Sequence, residues 1–221
     1  MIIKKINMDT WKRKDMFNHF INDVKCVICL TAKVDVTDLV YSCKTKGYRF
    51  YPVYIYLVSK IVNNRDEFKM GYDENGQAGI WDIVSPSYIV FNKDDELFTR
   101  LITEYVDDFN QFYFNVLENM ETYKDKRGFE VEYDIKNTFD ISCLPWIGYN
   151  SFDMHIFDSG TYLAPVITWG KFCEENGRLL MPLTLQIHHA VADGFHVARF
   201  FEEIQKETEQ LSSHIKLENT L

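Results

Sequence analysis

Asn176-Gly177 separates two β-rich runs, Val166–Phe172 and Leu179–Ile187. An Asn-Gly pair readily supplies the two left-handed residues of a tight hairpin turn, so the runs are predicted to pair antiparallel. The second arm runs unbroken into His188-His189. Asp193-Gly194 follows, and then Val197, Phe200, Phe201 and Ile204 at a spacing that predicts a helix. The last third of the chain is thereby fixed as a hairpin that hands over to a helix at a histidine pair.

The other elements follow from punctuation and periodicity. Asp9 or Thr10 is predicted to cap a first helix carrying Trp11, Arg13 and Phe17. A strand is expected over Cys26–Val34, with Thr37 as the N-cap and Gly47 as the end of the next helix. Pro52 suits the first turn of an apolar helix running through Val62. Asn75-Gly76 marks a hairpin before Gly79–Val84, and Ser87–Phe91 reads as a strand. Asp107–Tyr123 is predicted helical, with Phe112, Val116 and Met120 at intervals of four, and the charged stretch Glu121–Asn137 is predicted to be a loop. Phe139–Cys143 and Phe152–Phe157 read as strands. No repeat or Pro/Gly-rich linker divides the chain, so residues 1–221 are expected to form a single domain. The expected fold class is α/β, a two-layer sandwich in which helices cover a mixed β-sheet with antiparallel hairpins.

Composition removes several function classes. A formal charge of −9 gives no general attraction for nucleic acid phosphates or an anionic membrane surface. The longest apolar run, Val53–Val62, contains Ser59 and Lys60 and is too short to span a bilayer. Met1–Lys5 is too short and polar for a signal-peptide core, so the expected location is cytoplasmic. Five cysteines, an odd number, argue against a disulfide framework. Cys26 and Cys29 form a C-x-x-C, but on a strand that spacing puts the thiols on opposite faces, and no second pair completes a four-ligand site. They are read as small buried hydrophobes, and no metal is expected.

The segment from Gln186 to His196 carries the chemistry. It places His188, His189, Asp193 and His196 where a strand ends and a helix begins, a place from which reactive groups reach a cleft on rigid support. A neutral imidazole can take a proton from an alcohol near neutral pH. Neighbours on a strand point to opposite faces, so only one of the pair is expected to serve as base. A metal site built from these four residues is the competing reading, but the His-x3-His spacing of a helical zinc site is absent. A G-x-S-x-G elbow, a P-loop and a G-x-G-x-x-G are absent as well.

The stretch Gln186–Phe200 resembles the active-site signature of the type A chloramphenicol acetyltransferases. So do Trp11-Lys-Arg-Lys14, Phe50-Tyr-Pro52, Leu144-Pro-Trp146 and Ala164-Pro-Val-Ile-Thr168, spread in order over nearly the whole chain. The resemblance implies a chloramphenicol acetyltransferase-like fold and acetyl-CoA as cosubstrate, with no permanently bound cofactor. His189 would be the general base for the primary hydroxyl of chloramphenicol, with Ser142 donating to the oxyanion and Thr168 acting through a water. Asp193 would pair with Arg13 to support the site. Phe20, Cys26, Phe129, Phe152, Met154 and Ile156 match drug-pocket walls, and Tyr51, Trp146, Lys171 and Phe172 match the CoA channel. The resemblance further implies a homotrimer with active sites at subunit interfaces. The chain departs from the family pattern at Phe172 (often Tyr), Ala192 (often Cys), Asp140 (commonly Asn) and Arg100, in a region usually small and apolar. Two alternatives stay open: an acyltransferase using another acceptor alcohol, and a drug-binding module without catalysis.

Overall fold

The computed structural model describes residues 2–154, 156 and 161–217. The first half comprises β1 (Ile3–Lys5), α1 (Lys14–Asn18), β2 (Val27–Asp35), α2 (Thr37–Lys46) and α3 (Phe50–Asn63). Next come β3 (Met70–Tyr72), β4 (Ala78–Trp81), β5 (Ser85–Phe91), β6 (Phe98–Ile102) and α4 (Phe109–Thr122). The remainder comprises β7 (Thr138–Leu144), β8 (Val166–Gly170), β9 (Cys173–Glu175), β10 (Arg178–His188) and α5 (Gly194–Leu217).

The main sheet has the order β2-β10-β8-β7-β5-β6, with β9 also on β10, and a small second sheet is ordered β1-β4-β3. β5, β7 and β8 run parallel, and the other pairs are antiparallel. The predicted hairpin forms: β8 and β9 together pair with β10, and the turn places Asn176 at φ 52° and Gly177 at φ 77°. These are the left-handed angles that favour Asn and Gly.

Helices cover one face of this sheet, as expected of a mixed α/β sandwich. That face carries Tyr88, Leu101, Ile141, Ile167, Trp169, Leu183 and Leu185, all buried. α3 is buried almost all round because it lies against α4, α5 and β5, so its sequence is apolar rather than amphipathic. α5 buries one stripe, Val197, Phe200, Ile204, Leu211 and Ile215.

The opposite face carries a transverse row of side chains. Arg100 on β6 pairs with Ile89 on β5. One residue beyond the parallel pair Tyr88–Ile141, Ile89 lies beside Ser142 on β7. Ser142 pairs with Thr168, Thr168 with Thr184, and Thr184 with Thr31. Thr31 and Thr184 share a 2.7 Å hydroxyl hydrogen bond.

Several local expectations need correction. Neither Asp9 nor Thr10 caps the first helix; Asn7 organises the preceding turn, and α1 starts at Lys14. Thr37 is the first helical residue rather than the N-cap. The Asp35 carboxylate accepts from its N–H at 3.0 Å and from its hydroxyl at 2.6 Å. Cys26 precedes β2 instead of belonging to it. No strand forms over the described part of 152–157; His155 and Phe157 lie outside the described residues. There Phe152 and Met154 direct their N–H groups to side chains, Thr31 Oγ1 at 3.4 Å and Gln186 Oε1 at 3.3 Å, instead of to a ladder.

Candidate active site

His188 and His189 differ because β10 ends between them. His188 is the last strand residue and is buried, and its Nδ1 accepts from the Ala190 N–H at 3.1 Å. It is structural. The His189 N–H donates to the Cys26 carbonyl at 3.0 Å, and its ring then leaves the sheet. Its Nδ1 lies 2.9 Å from the carbonyl oxygen of Ala192. A carbonyl only accepts, so Nδ1 carries the hydrogen and the neutral ring keeps its lone pair on Nε2. Phe20 lies flat on the same ring, with centroids 3.9 Å apart and planes 11° from parallel. Tautomer and orientation are therefore both fixed from within the chain.

Arg13 clamps the turn that follows. Its Nη1 donates to Asp193 Oδ2 at 2.9 Å, its Nη2 to the His189 carbonyl and its Nε to the Ala190 carbonyl, both at 3.0 Å. Asp193 also accepts from the Phe195 N–H at 3.1 Å, capping α5, and from His196 Nδ1 at 2.8 Å. Burial opposes ionisation of Asp193, but the hydrogen bonds from Arg13 and His196 outweigh it and hold the carboxyl down at about 2. His196 thus serves the turn. Among the described residues no group of three or more His, Cys, Asp or Glu side chains is placed to hold a metal ion.

Ser142 and Thr168 are neighbours across β7 and β8, with Ser142 half-buried and Thr168 fully buried. Neither is close to His189 of the same chain. His189 is five residues along β10 from Thr184, and Ser142 is two strands away, which puts the two about 19 Å apart.

The sequence profile described as chloramphenicol acetyltransferase matches residues 1–205. The chain belongs to the chloramphenicol acetyltransferase family. A chloramphenicol acetyltransferase from Clostridium perfringens is 39% identical over 202 residues, spanning 91% of this chain and 92% of its own. Chloramphenicol acetyltransferase 3 of Escherichia coli is 39% identical over 203 residues, spanning 91% and 95%. A solved chloramphenicol acetyltransferase structure superposes with a TM-score of 0.83 at 22% identity, covering 94% of this chain and all of that one. The fold extends to a dihydrolipoamide acetyltransferase from Azotobacter vinelandii, with a TM-score of 0.64 at 17% identity over 98% and 93% of the two chains.

The residues that resemble the chloramphenicol acetyltransferase pockets fall into separate groups. Phe20 and Cys26 stand beside His189. Phe129 lies across the other end of the sheet against Phe98 and Arg100. Phe152 packs on Tyr149, while Met154 and Ile156 are exposed. Cys29 Sγ donates to the Phe152 carbonyl at 3.1 Å, and burial, with Asp153 nearby, pushes its thiol up to about 11. Tyr51, Trp146, Lys171 and Phe172 gather where the parallel strands end. Trp146 is exposed and stands edge-on to Phe91, Phe172 stands edge-on to Phe50, and the Lys171 N–H donates to Ile147. The Tyr51 hydroxyl is committed to the Ile89 carbonyl at 2.7 Å. Gly170 lets the Trp146 loop approach, since a Cβ there would lie 2.8 Å from both the Ile147 carbonyl and the Tyr149 ring. Sequence reasoning missed the Ala192 carbonyl and the bonds from Arg13 to main-chain oxygens, because backbone acceptors leave no letter in a sequence.

Proposed function

We propose that this protein transfers the acetyl group of acetyl-CoA to the primary hydroxyl of chloramphenicol, conferring resistance to that antibiotic. The observation that carries the reading is the fixed tautomer of His189, with Nδ1–H on the Ala192 carbonyl and the ring packed on Phe20. Nε2 takes the hydroxyl proton as the alcohol oxygen attacks the thioester carbonyl carbon. Ser142 donates a hydrogen bond to the oxyanion so formed, and Thr168 acts there through a water. Collapse of the tetrahedral species breaks the C–S bond, and the CoA sulfur leaves with the proton held on Nε2. Arg13 and Asp193 hold the turn and touch no reacting atom. The strand-end group of Tyr51, Trp146, Lys171 and Phe172 receives CoA, while Phe20, Cys26, Phe129, Phe152, Met154 and Ile156 line the drug site.

The separation of Ser142 from His189 within one chain supports an active site that draws on two subunits. We therefore infer a homotrimer in which His189 of one subunit faces Ser142 of the next. Val24 near His189, and Val27 and Leu30 along the edge strand β2, are exposed apolar side chains that such an interface would cover. Residues 1–221 act as one unit in this assembly. We place its action in the cytoplasm, where acetyl-CoA is available.

A thiol-release assay with acetyl-CoA and chloramphenicol tests the proposal. Release by the parent protein, lost in His189→Ala, supports it. Release only with a different alcohol would assign another acceptor, and drug binding without release would assign a binding module.

A further inference from the structure

Arg100 stands in the same transverse row as Ser142, two strands away, or about 10 Å between main chains. It lies on the face opposite buried Leu101, the face that carries the hydroxyl row. Its guanidinium lies over Phe129 at 5.5 Å and over Tyr133 at 5.8 Å from the ring centroids. Nε is buried with no hydrogen-bond partner. The Asp140 carboxyl, which feels the Arg100 charge, already accepts from Tyr162 and Ser87. Burial pushes the Asp140 carboxyl up, and the Arg100 charge pulls against that only through space. A planar guanidinium thus lies over two rings with its buried Nε–H left without an acceptor in its own chain.

We infer that Arg100 determines acceptor specificity: its guanidinium pairs with a planar two-oxygen group, a nitro or a carboxylate, at the end of the acceptor remote from the reacting hydroxyl. The inference deepens the proposed acyl transfer and rests on Ser142 marking the reacting end. Guanidinium meets such a group through two parallel hydrogen bonds, a geometry an ammonium cannot reproduce. Phe129 and Tyr133 supply apolar walls for an aryl ring carrying the group. An acceptor lacking the two oxygens leaves the buried Nε–H unpaired, and sites built for hydrogen bonding reject such ligands strongly.

The test uses chloramphenicol, its analogue with carboxylate in place of nitro, and its analogue with hydrogen there. kcat/KM is measured for the parent protein, Arg100→Met and Arg100→Lys, with melting temperature as a folding control. The parent should favour both two-oxygen acceptors over the hydrogen analogue by about tenfold or more. Arg100→Met should abolish that preference through KM for the acceptor and leave KM for acetyl-CoA unchanged. Arg100→Lys should lose the nitro preference and keep part of the carboxylate preference. Unchanged ratios in Arg100→Met overturn the inference; if that variant does not fold, unchanged ratios in Arg100→Lys overturn it, and a reduced nitro ratio supports it. If the parent acetylates none of the three, acyl transfer has failed separately. Calorimetric binding of the same ligands then decides: a preference lost in the variants supports the role of Arg100, and a preference retained, or no binding, overturns it.

Discussion

The ring of Phe20 covers the imidazole of His189 with the two planes 11° from parallel. Together with the hydrogen bond from Nδ1 to Ala192, this leaves the ring one orientation. Stacked aromatic pairs contribute about 0.5–1.5 kcal/mol beyond burial, so Phe20→Ala should lower kcat by about two- to thirteenfold. Steady-state kinetics with both substrates saturating would measure this, and an unchanged kcat would show that the stack does not hold the base.

His189→Ala should lower kcat by about 10²–10⁴-fold without unfolding the protein, the range for loss of a positioned general base. Ser142→Ala should lower it by about 10²–10³-fold through loss of an oxyanion donor. Because the two residues are far apart in one chain, co-refolding these variants should regenerate sites that carry both groups. Random mixing predicts recovery of about one quarter of the parental rate from a heterologous interface. No recovery beyond the two variants alone would mean that each site is built within one subunit.

Asp193 ionises at about 2, below its ordinary 3.8. Its folded-state pKa is depressed, so its stabilising contribution is fully present above about pH 4 and is lost as pH falls towards 2. Asp193→Asn should therefore be less stable than the parent above pH 4, and the difference should shrink on acidification. The carboxylate is 36% exposed, and solvent screening limits the difference to about 1–2 kcal/mol. Denaturant melts across this pH range measure it, and a constant gap would remove the charge from the explanation.

Gly170→Ala should act on one substrate only. The added Cβ would press on the Ile147 carbonyl and Tyr149 ring and displace the loop that carries Trp146. Overpacking of about 1–3 kcal/mol should raise KM for acetyl-CoA by about tenfold and leave KM for chloramphenicol near its parental value. Separate titrations of the two substrates distinguish this from general destabilisation.

What was legible in the sequence is whatever demanded a particular backbone. Asn176-Gly177 announced its turn because few other residues take two successive left-handed conformations, and Gly47, at φ 81°, ended its helix for the same reason. The strand reading of 152–157 misled, because the Phe152 and Met154 N–H groups turn to side chains of Thr31 and Gln186 and the Met154 and Ile156 side chains stay exposed. The likeness of Gln186–Phe200 to a family signature singles out His189 as the proposed base, but the acceptor that fixes its tautomer is a main-chain oxygen with no side-chain signal. The row from Arg100 to Thr31 joins residues from six strands, and no periodicity within any one strand could align them.

Asp193 starts α5, and Arg13 holds that same carboxylate while gripping the two carbonyls after the strand. The longest helix is in this way geared to the imidazole: a slip of its first turn passes directly into the aim of Nε2. Gentle warming that loosens that joint will silence turnover while the strands behind it remain paired.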